Sequence, residues 1–295
     1  MSKPKCKKLT QPTITQPELN RIEKYLREVK KNGYRPWVTV RQSHTIGQGQ
    51  IVYSWKTKRD HHLLSRGELM PFLWFEQDPK VIDILEQYPL PLEDTLKLAD
   101  EMQILHPGSY LDKDAFDGLV PAKTMTTDYV LVMEFPDGRH KLAAYSFKYS
   151  SSFERTVTHP VAVARTEAKL ALECEYWRRL NVAWVLITEK SFDENVTQNF
   201  RYLRECKDFP EYLDVSDEFK AIVLLRFRHH FSALEEATVR EVLVIVAEDV
   251  GIELFQCQCL FQHFVYTHVL KLNLCEKINL NRPVSMMPVE VNHAR

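Results

Sequence analysis

No run of about eighteen apolar residues occurs in the chain, and no charged-then-apolar leader ending in small residues opens it, so neither a membrane span nor a signal peptide is expected. A cytoplasmic location follows as the expectation. Cys-x-x-Cys is also missing. The six cysteines are Cys6, Cys174, Cys206, Cys257, Cys259 and Cys275, and Cys257 and Cys259 lie in an apolar helical pattern, which reads as buried thiols rather than a structural zinc site. His61-His62 and His229-His230 are adjacent pairs, too close to put two ligands on one helix face, and read as non-metal. No internal repeat or low-complexity tract occurs.

What is present is enough for two ordinary domains: 295 residues, 44% of them hydrophobic. The net charge of −1 conceals an asymmetry, because residues 1–60 carry fourteen Lys/Arg against four Asp/Glu and the remainder sums to −11. Such a basic portion suits contact with phosphate. Within it Arg35, Trp37, Lys56, Lys58, Arg59, His61 and His62 are the candidate DNA contacts, supplying affinity that is independent of sequence. The lysine-rich start, KPKCKK, reads as a solvated terminus.

Along the chain, PELNRIEKYLREVKKNG predicts a helix with Pro17 in its first turn and Gly33 just past its end. WVTV and IVYSW predict short strands with a turn-rich loop, SHTIGQGQ, between them. Ser65 followed by Glu68 is a capping-box pattern opening an apolar helix, in which Pro71 predicts a kink or a late start. VIDILEQYPL reads as a strand. After a hairpin come a helix (VAVARTEAKLALECEYWRRLN), a buried strand (VAWVLITEK) and a further helix (ENVTQNFRYLREC), an order that predicts a mixed sheet flanked by helices. Beyond residue 207 the pattern changes to three apolar helices, with LKLNL and INLNRPVSM as a terminal hairpin.

The hairpin, TTDYVLVMEFPDGRHKLAAYSFK, is the clearest local signal. Pro136-Asp137-Gly138 fits a type I turn with glycine in the left-handed position, a three-residue loop that pairs Phe135 with Arg139. That register sets Asp128 opposite Ser146 and leaves Lys148 further along the same face, with Tyr129, Leu131, Met133, Phe135, Tyr145 and Phe147 on the other face as core. A two-residue Asp-Gly loop would instead turn Lys148 to the opposite face. Pro136 presets its dihedral and Gly138 tolerates the left-handed one, which favours the bulged form. An aspartate on one strand with a lysine at the end of its neighbour is the layout of restriction-endonuclease-like sites. There, carboxylates hold magnesium and the lysine orients the nucleophile or offsets developing negative charge.

The segments RPWVTVRQ, YSWKTKRDHHLLSRGEL, VIDILEQYPL, MTTDYVLV and KLALECEYWRR, in this order from Tyr34 to Cys206, resemble the TnsA family, the endonuclease subunits of heteromeric transposases of Tn-seven-type transposons. The resemblance implies a basic tail and helix over residues 1–33, a restriction-endonuclease-like catalytic domain over 34–206, and a smaller winged-helix-like, mostly helical domain over 207–295. It places the family's catalytic residues on Glu68, Asp128 and Lys148. The metal ligands would be Glu68, Asp128 and the Phe147 backbone carbonyl, with Ser146 or Glu173 as further candidates. Ser146 stands where classical nucleases carry an acid.

The implied function is Mg2+-dependent cleavage, with Mn2+ as a substitute, of the 5′ strands at double-stranded transposon ends in a nucleoid-associated bacterial complex. The implied partners are a TnsB-like DDE transposase and a TnsC-like ATPase, the latter reached through the apolar C-terminal helices. The alternative is a catalytically silent DNA-binding or assembly subunit that keeps the nuclease fold.

Overall fold

The computed structural model describes residues 9–43, 48–209, 213 and 215–287. The lysine-rich start, Cys6 and residues 44–47 of the expected loop lie outside the described residues. The chain divides into two compact units, Met1–Ser191 and Phe192–Arg295.

In the first unit the order is α1 (Gln16–Asn32), β1 (Gln50–Ser54), β2 (Arg59–Leu63), α2 (Arg66–Gln77), β3 (Val81–Pro89), α3 (Leu92–Glu101), β4 (Thr126–Glu134), β5 (His140–Phe147), α4 (Pro160–Arg179) and β6 (Ala183–Ile187). Four strands form a mixed sheet in the order β3-β4-β5-β6, with β5 and β6 parallel and the other neighbours antiparallel. A parallel pair needs a crossover, which α4 supplies. β1 and β2 make a separate antiparallel ladder.

The β4–β5 hairpin has the bulged register expected from its turn. Tyr129 pairs with Tyr145 and Glu134 with His140. The Phe135 N–H donates to the Arg139 carbonyl (3.0 Å), the Gly138 N–H donates to the Phe135 carbonyl (2.8 Å), and Gly138 sits at φ +74°. Tyr129, Leu131 and Phe147 are buried on one face, while Met133, Phe135 and Tyr145 are half-buried. Phe75 of α2 packs on this face, its ring 5.4 Å from Tyr129 and 4.9 Å from Tyr145. On the other face Val130 and Ala144 are fully buried under Leu172 and Trp177 of α4 and Leu98 and Ala99 of α3. A sheet covered on both faces explains why β4 reads as a nearly continuous apolar run.

Several local expectations change. WVTV forms no strand, and residues 40–42 make a short 3-10 turn instead. RDHHL, polar as it is, forms β2, whose side chains are satisfied by a buried partner on β3 described below. α2 begins at Arg66 and runs through Pro71, so the expected late start does not occur.

The second unit contains α5 (Glu194–Leu203), α6 (Asp217–Ala233), α7 (Val239–Val250) and α8 (Leu254–Tyr266). Side chains cap three of these helices: Asp193 bonds Val196 N, Ser216 bonds Phe219 N, and Thr238 forms a capping box with Glu241. The core joins Leu203 of α5 to Val223 and Phe227 of α6, Leu243 and Val246 of α7, and Leu260, Phe261 and Phe264 of α8. α5 therefore belongs to this unit, although the sequence placed it before a junction at residue 207. Its Asn199 side chain explains why, donating to the Leu274 and Glu276 carbonyls and accepting from Ile278 N–H. The expected terminal hairpin reduces to one bridge, Leu272 with Met286. Among the described residues no helix is long and apolar enough to cross a membrane.

Gly138 has open space around its Cα, so only backbone strain opposes a side chain there. Gly138→Ala is expected to cost about 1 kcal/mol in urea unfolding.

Candidate active site

Lys148 lies just past the end of β5, and its ammonium donates to Asp128 Oδ2 at 2.9 Å and to the Phe147 carbonyl at 2.7 Å. Asp128, the third residue of β4, also accepts from the Phe147 N–H through the same Oδ2 at 2.8 Å. Acid and lysine thus share one sheet face, as the register requires. Burial works against the ammonium, but Asp128 first, then Glu173 and Glu68, raise its affinity for a proton on balance. Lys148 is therefore a fixed positive charge.

Glu68 approaches this corner from α2. Its Oε1 accepts from the Ser65 hydroxyl at 3.0 Å and its Oε2 from the Leu64 N–H at 2.8 Å, so the residue also ties off the start of its helix. The helix-start role and the site role coincide, since a carboxylate has lone pairs beyond these two. Burial, and next the negative charge of Asp128, push Glu68 from its ordinary 4.5 up to about 7, against the opposing pull of Leu64, Ser65 and Lys148.

Three aromatic side chains hold the Glu68 backbone. The buried Tyr129 hydroxyl donates to the Glu68 carbonyl at 2.6 Å. Phe147 and Tyr149, edge to face at 5.2 Å, press on Gly67 from the side. A Cβ at Gly67 would collide with the Phe147 ring and lie 2.7 Å from the Tyr149 hydroxyl oxygen. Only glycine allows α2 to come this close to the strand end. The sequence reading missed Gly67 and Tyr149. The one available signal was a tyrosine, rather than a phenylalanine, at core position 129.

Ser146 and Glu173 form a buried pair behind Asp128. The Ser146 hydroxyl donates to Glu173 Oε1 and accepts from Trp184 Nε1 at 3.3 Å. Trp177 Nε1 donates to Thr127 Oγ1 at 2.8 Å beside them. Burial, then the charge of Asp128, raise Glu173. With its hydroxyl engaged twice, Ser146 supports the acid on α4.

The basic candidates separate. His61 is fully buried between Thr57 Oγ1 (2.7 Å) and Glu86 (2.9 Å), so the expected phosphate contact is corrected to an internal one. Arg59 is corrected likewise, because it grips the fully buried Glu86 carboxylate at 2.9 and 3.2 Å and lies over the Tyr34 ring. Trp37 is buried too, with the Arg21 guanidinium 4.1 Å above its ring and Tyr25 edge-on. Arg35 pairs with Glu28, the Lys56 ammonium donates to the Asp78 carbonyl, and His62 Nδ1 accepts from Val40 N–H. Lys58 is exposed. A buried carboxylate needs partners, and β2 supplies them to Glu86 of β3.

Among the described residues no three His, Cys, Asp or Glu side chains converge in a geometry that could hold a metal. The corner offers two carboxylates and a carbonyl instead. That set suits magnesium, which takes oxygen donors and needs only one or two protein carboxylates.

A mixed sheet flanked by helices, with an acid and a lysine at neighbouring strand ends and a second acid on an adjoining helix, fits a nuclease-type α/β fold. Residues 78–189 match the family model described as the TnsA-like endonuclease N-terminal domain. The chain is 33% identical over 174 residues to the transposon Tn7 transposition protein TnsA of Escherichia coli. That match covers 59% of this chain and 57% of the relative, less than two thirds of its length. Asp128, Ser146, Lys148 and Glu173 lie inside the matched residues and Glu68 lies upstream of them.

Two outcomes test the geometry. Gly67→Ala is expected to destabilise the protein by about 1–3 kcal/mol through overpacking. Combining it with Phe147→Ala should recover part of that loss, measured as a coupling energy in a double-mutant cycle. Because the Glu68 proton affinity is higher folded than unfolded, its contribution is present below pH 4.5 and is lost as pH rises through about 7. Glu68→Gln should therefore gain stability relative to the wild type between pH 5 and pH 8, by on the order of 2 kcal/mol in urea titrations.

Proposed function

We propose that this protein is a magnesium-dependent DNA endonuclease that cleaves the 5′, non-transferred strands at transposon ends during cut-and-paste transposition. The observation that carries this reading is the Lys148–Asp128 contact at 2.9 Å, with Glu68 pushed up to about 7 in the same corner. The TnsA-like match supports a nuclease role in transposition. In this reading Glu68, Asp128 and the Phe147 carbonyl hold magnesium, with Mn2+ as a substitute.

When bound, the ion supplies Lewis acidity at the scissile phosphate and a more acidic water. The chain's own groups do the rest. Lys148, held charged by Asp128, orients the attacking water and offsets negative charge developing on the phosphate. Asp128 keeps the ammonium in place while Phe147 N–H keeps the carboxylate aligned. Tyr129 and the close packing at Gly67 hold the Glu68 backbone, and the Ser146–Glu173 pair buttresses the back of the site.

The reading further includes a separate TnsB-like DDE transposase that processes the other strands. It also includes a TnsC-like ATPase met by the C-terminal unit, for which the exposed Ile222 and Leu225 of α6 are candidate contacts.

The test uses double-stranded transposon-end DNA with purified partners and Mg2+. Asp128→Ala and Lys148→Ala are each expected to reduce 5′-strand cleavage by about a hundredfold or more while the complex still assembles. Cleavage that persists in either variant overturns the mechanism. A wild-type protein that assembles on the ends without cutting them would favour the silent assembly subunit.

A further inference from the structure

Cys206 and Cys259 lie with their sulfur atoms 3.0 Å apart, both as free thiols. They are 53 positions apart in the chain, so the contact is tertiary. Cys206 ends a 3-10 turn, Arg204–Cys206, that continues from α5, and Cys259 lies on α8. Hydrogen bonds on both sides of the thiols fix this approach. Gln258 Nε2 donates to the Tyr202 hydroxyl at 3.3 Å and Gln262 Nε2 to the Tyr202 carbonyl at 2.7 Å, while His263 Nδ1 meets the Lys207 carbonyl. One face of α8 thus grips residues 202–207 and delivers the two sulfurs to each other. The nearest competitor, Cys257, points elsewhere, its thiol 3.4 Å from the Leu243 carbonyl.

We infer that Cys206 and Cys259 form an oxidation site, a dithiol that a peroxide converts to an intramolecular disulfide within the C-terminal unit. Cys206 is half-buried and Cys259 is almost wholly buried, which makes Cys206 the point of attack. The Cys206 thiolate attacks one oxygen of hydrogen peroxide. A sulfur–oxygen bond forms, the oxygen–oxygen bond breaks, and the hydroxide released takes up the thiol proton as water. The sulfur has become a sulfenic acid, oxidised by two electrons. Cys259 sulfur then attacks it, the sulfur–sulfur bond forms, the sulfur–oxygen bond breaks, and hydroxide leaves with the Cys259 proton as a second water. Burial holds the Cys259 thiol up at about 12, so Cys259 acts as the resolving partner rather than as the group that meets peroxide first. The product ties the segment after α5 to α8 and closes α6 and α7 within one covalent loop. Constraining the unfolded chain in this way stabilises the unit.

The experiment treats the full chain with one equivalent of hydrogen peroxide, blocks free thiols with N-ethylmaleimide and maps non-reduced peptides by mass spectrometry. The expected product is a Cys206–Cys259 cross-link lighter by two hydrogens in most molecules, restored to two thiols by dithiothreitol and missing from Cys206→Ser. Its thermal midpoint should rise by about 5 °C on oxidation. Free alkylation of both cysteines after peroxide, or cross-linking of Cys206 to Cys257 or to a second molecule, overturns the inference. Because the readout is on wild-type protein, it stands apart from whether the chain cuts DNA.

Discussion

The pairing of β4 with β5 is the constraint on which the site depends. A strand's side chains alternate between faces, so one residue more or less in the turn would send either Asp128 or Lys148 into the core against Phe75. The Pro136-Asp137-Gly138 turn, at the far end of the hairpin, fixes that choice through two backbone hydrogen bonds and one left-handed glycine. Everything in the corner follows from it: the ammonium bridging Asp128 and the Phe147 carbonyl, the acid behind them on α4, and the ring of Phe147 turned toward α2.

The second half of the site is brought in by close packing. α2 delivers Glu68 only because Gly67 lets the helix settle against Phe147 and Tyr149, while Tyr129 reaches through the core to hold the Glu68 carbonyl. The cost appears in Glu68 itself, a carboxylate held close to another in a buried place and raised accordingly. Carboxylates perturbed in this way cluster at functional sites.

Much of the site was legible in the sequence, and the physical reason is locality. The hairpin register needs only neighbouring residues, and it led to Asp128 and Lys148 sharing a face. The capping pattern at Ser65 likewise located Glu68 at a helix start. What escaped were features set by distant parts of the chain. Gly67 has no meaning until the Phe147 ring lies beside it. The polar stretch RDHHL does not look like a strand until Glu86 is buried under it. α5 belongs with the C-terminal unit because Asn199 meets backbone near residues 274–278, which periodicity cannot reveal. The expected basic face failed at Trp37, Arg59 and His61 for the same reason.

The commitment of Arg59 inward has an electrolyte consequence. Arg59 is spent on the buried Glu86, a carboxylate beyond the first sixty residues that their surplus of ten does not already subtract. A guanidinium neutralised in this way condenses few anions of its own and displaces few from a polyanion. The charge counted along the first sixty residues therefore overstates the ionic-strength sensitivity that this unit brings to any contact with nucleic acid. Any adhesion to a polyphosphate should fade with added salt slightly more gently than a surplus of ten positive charges suggests.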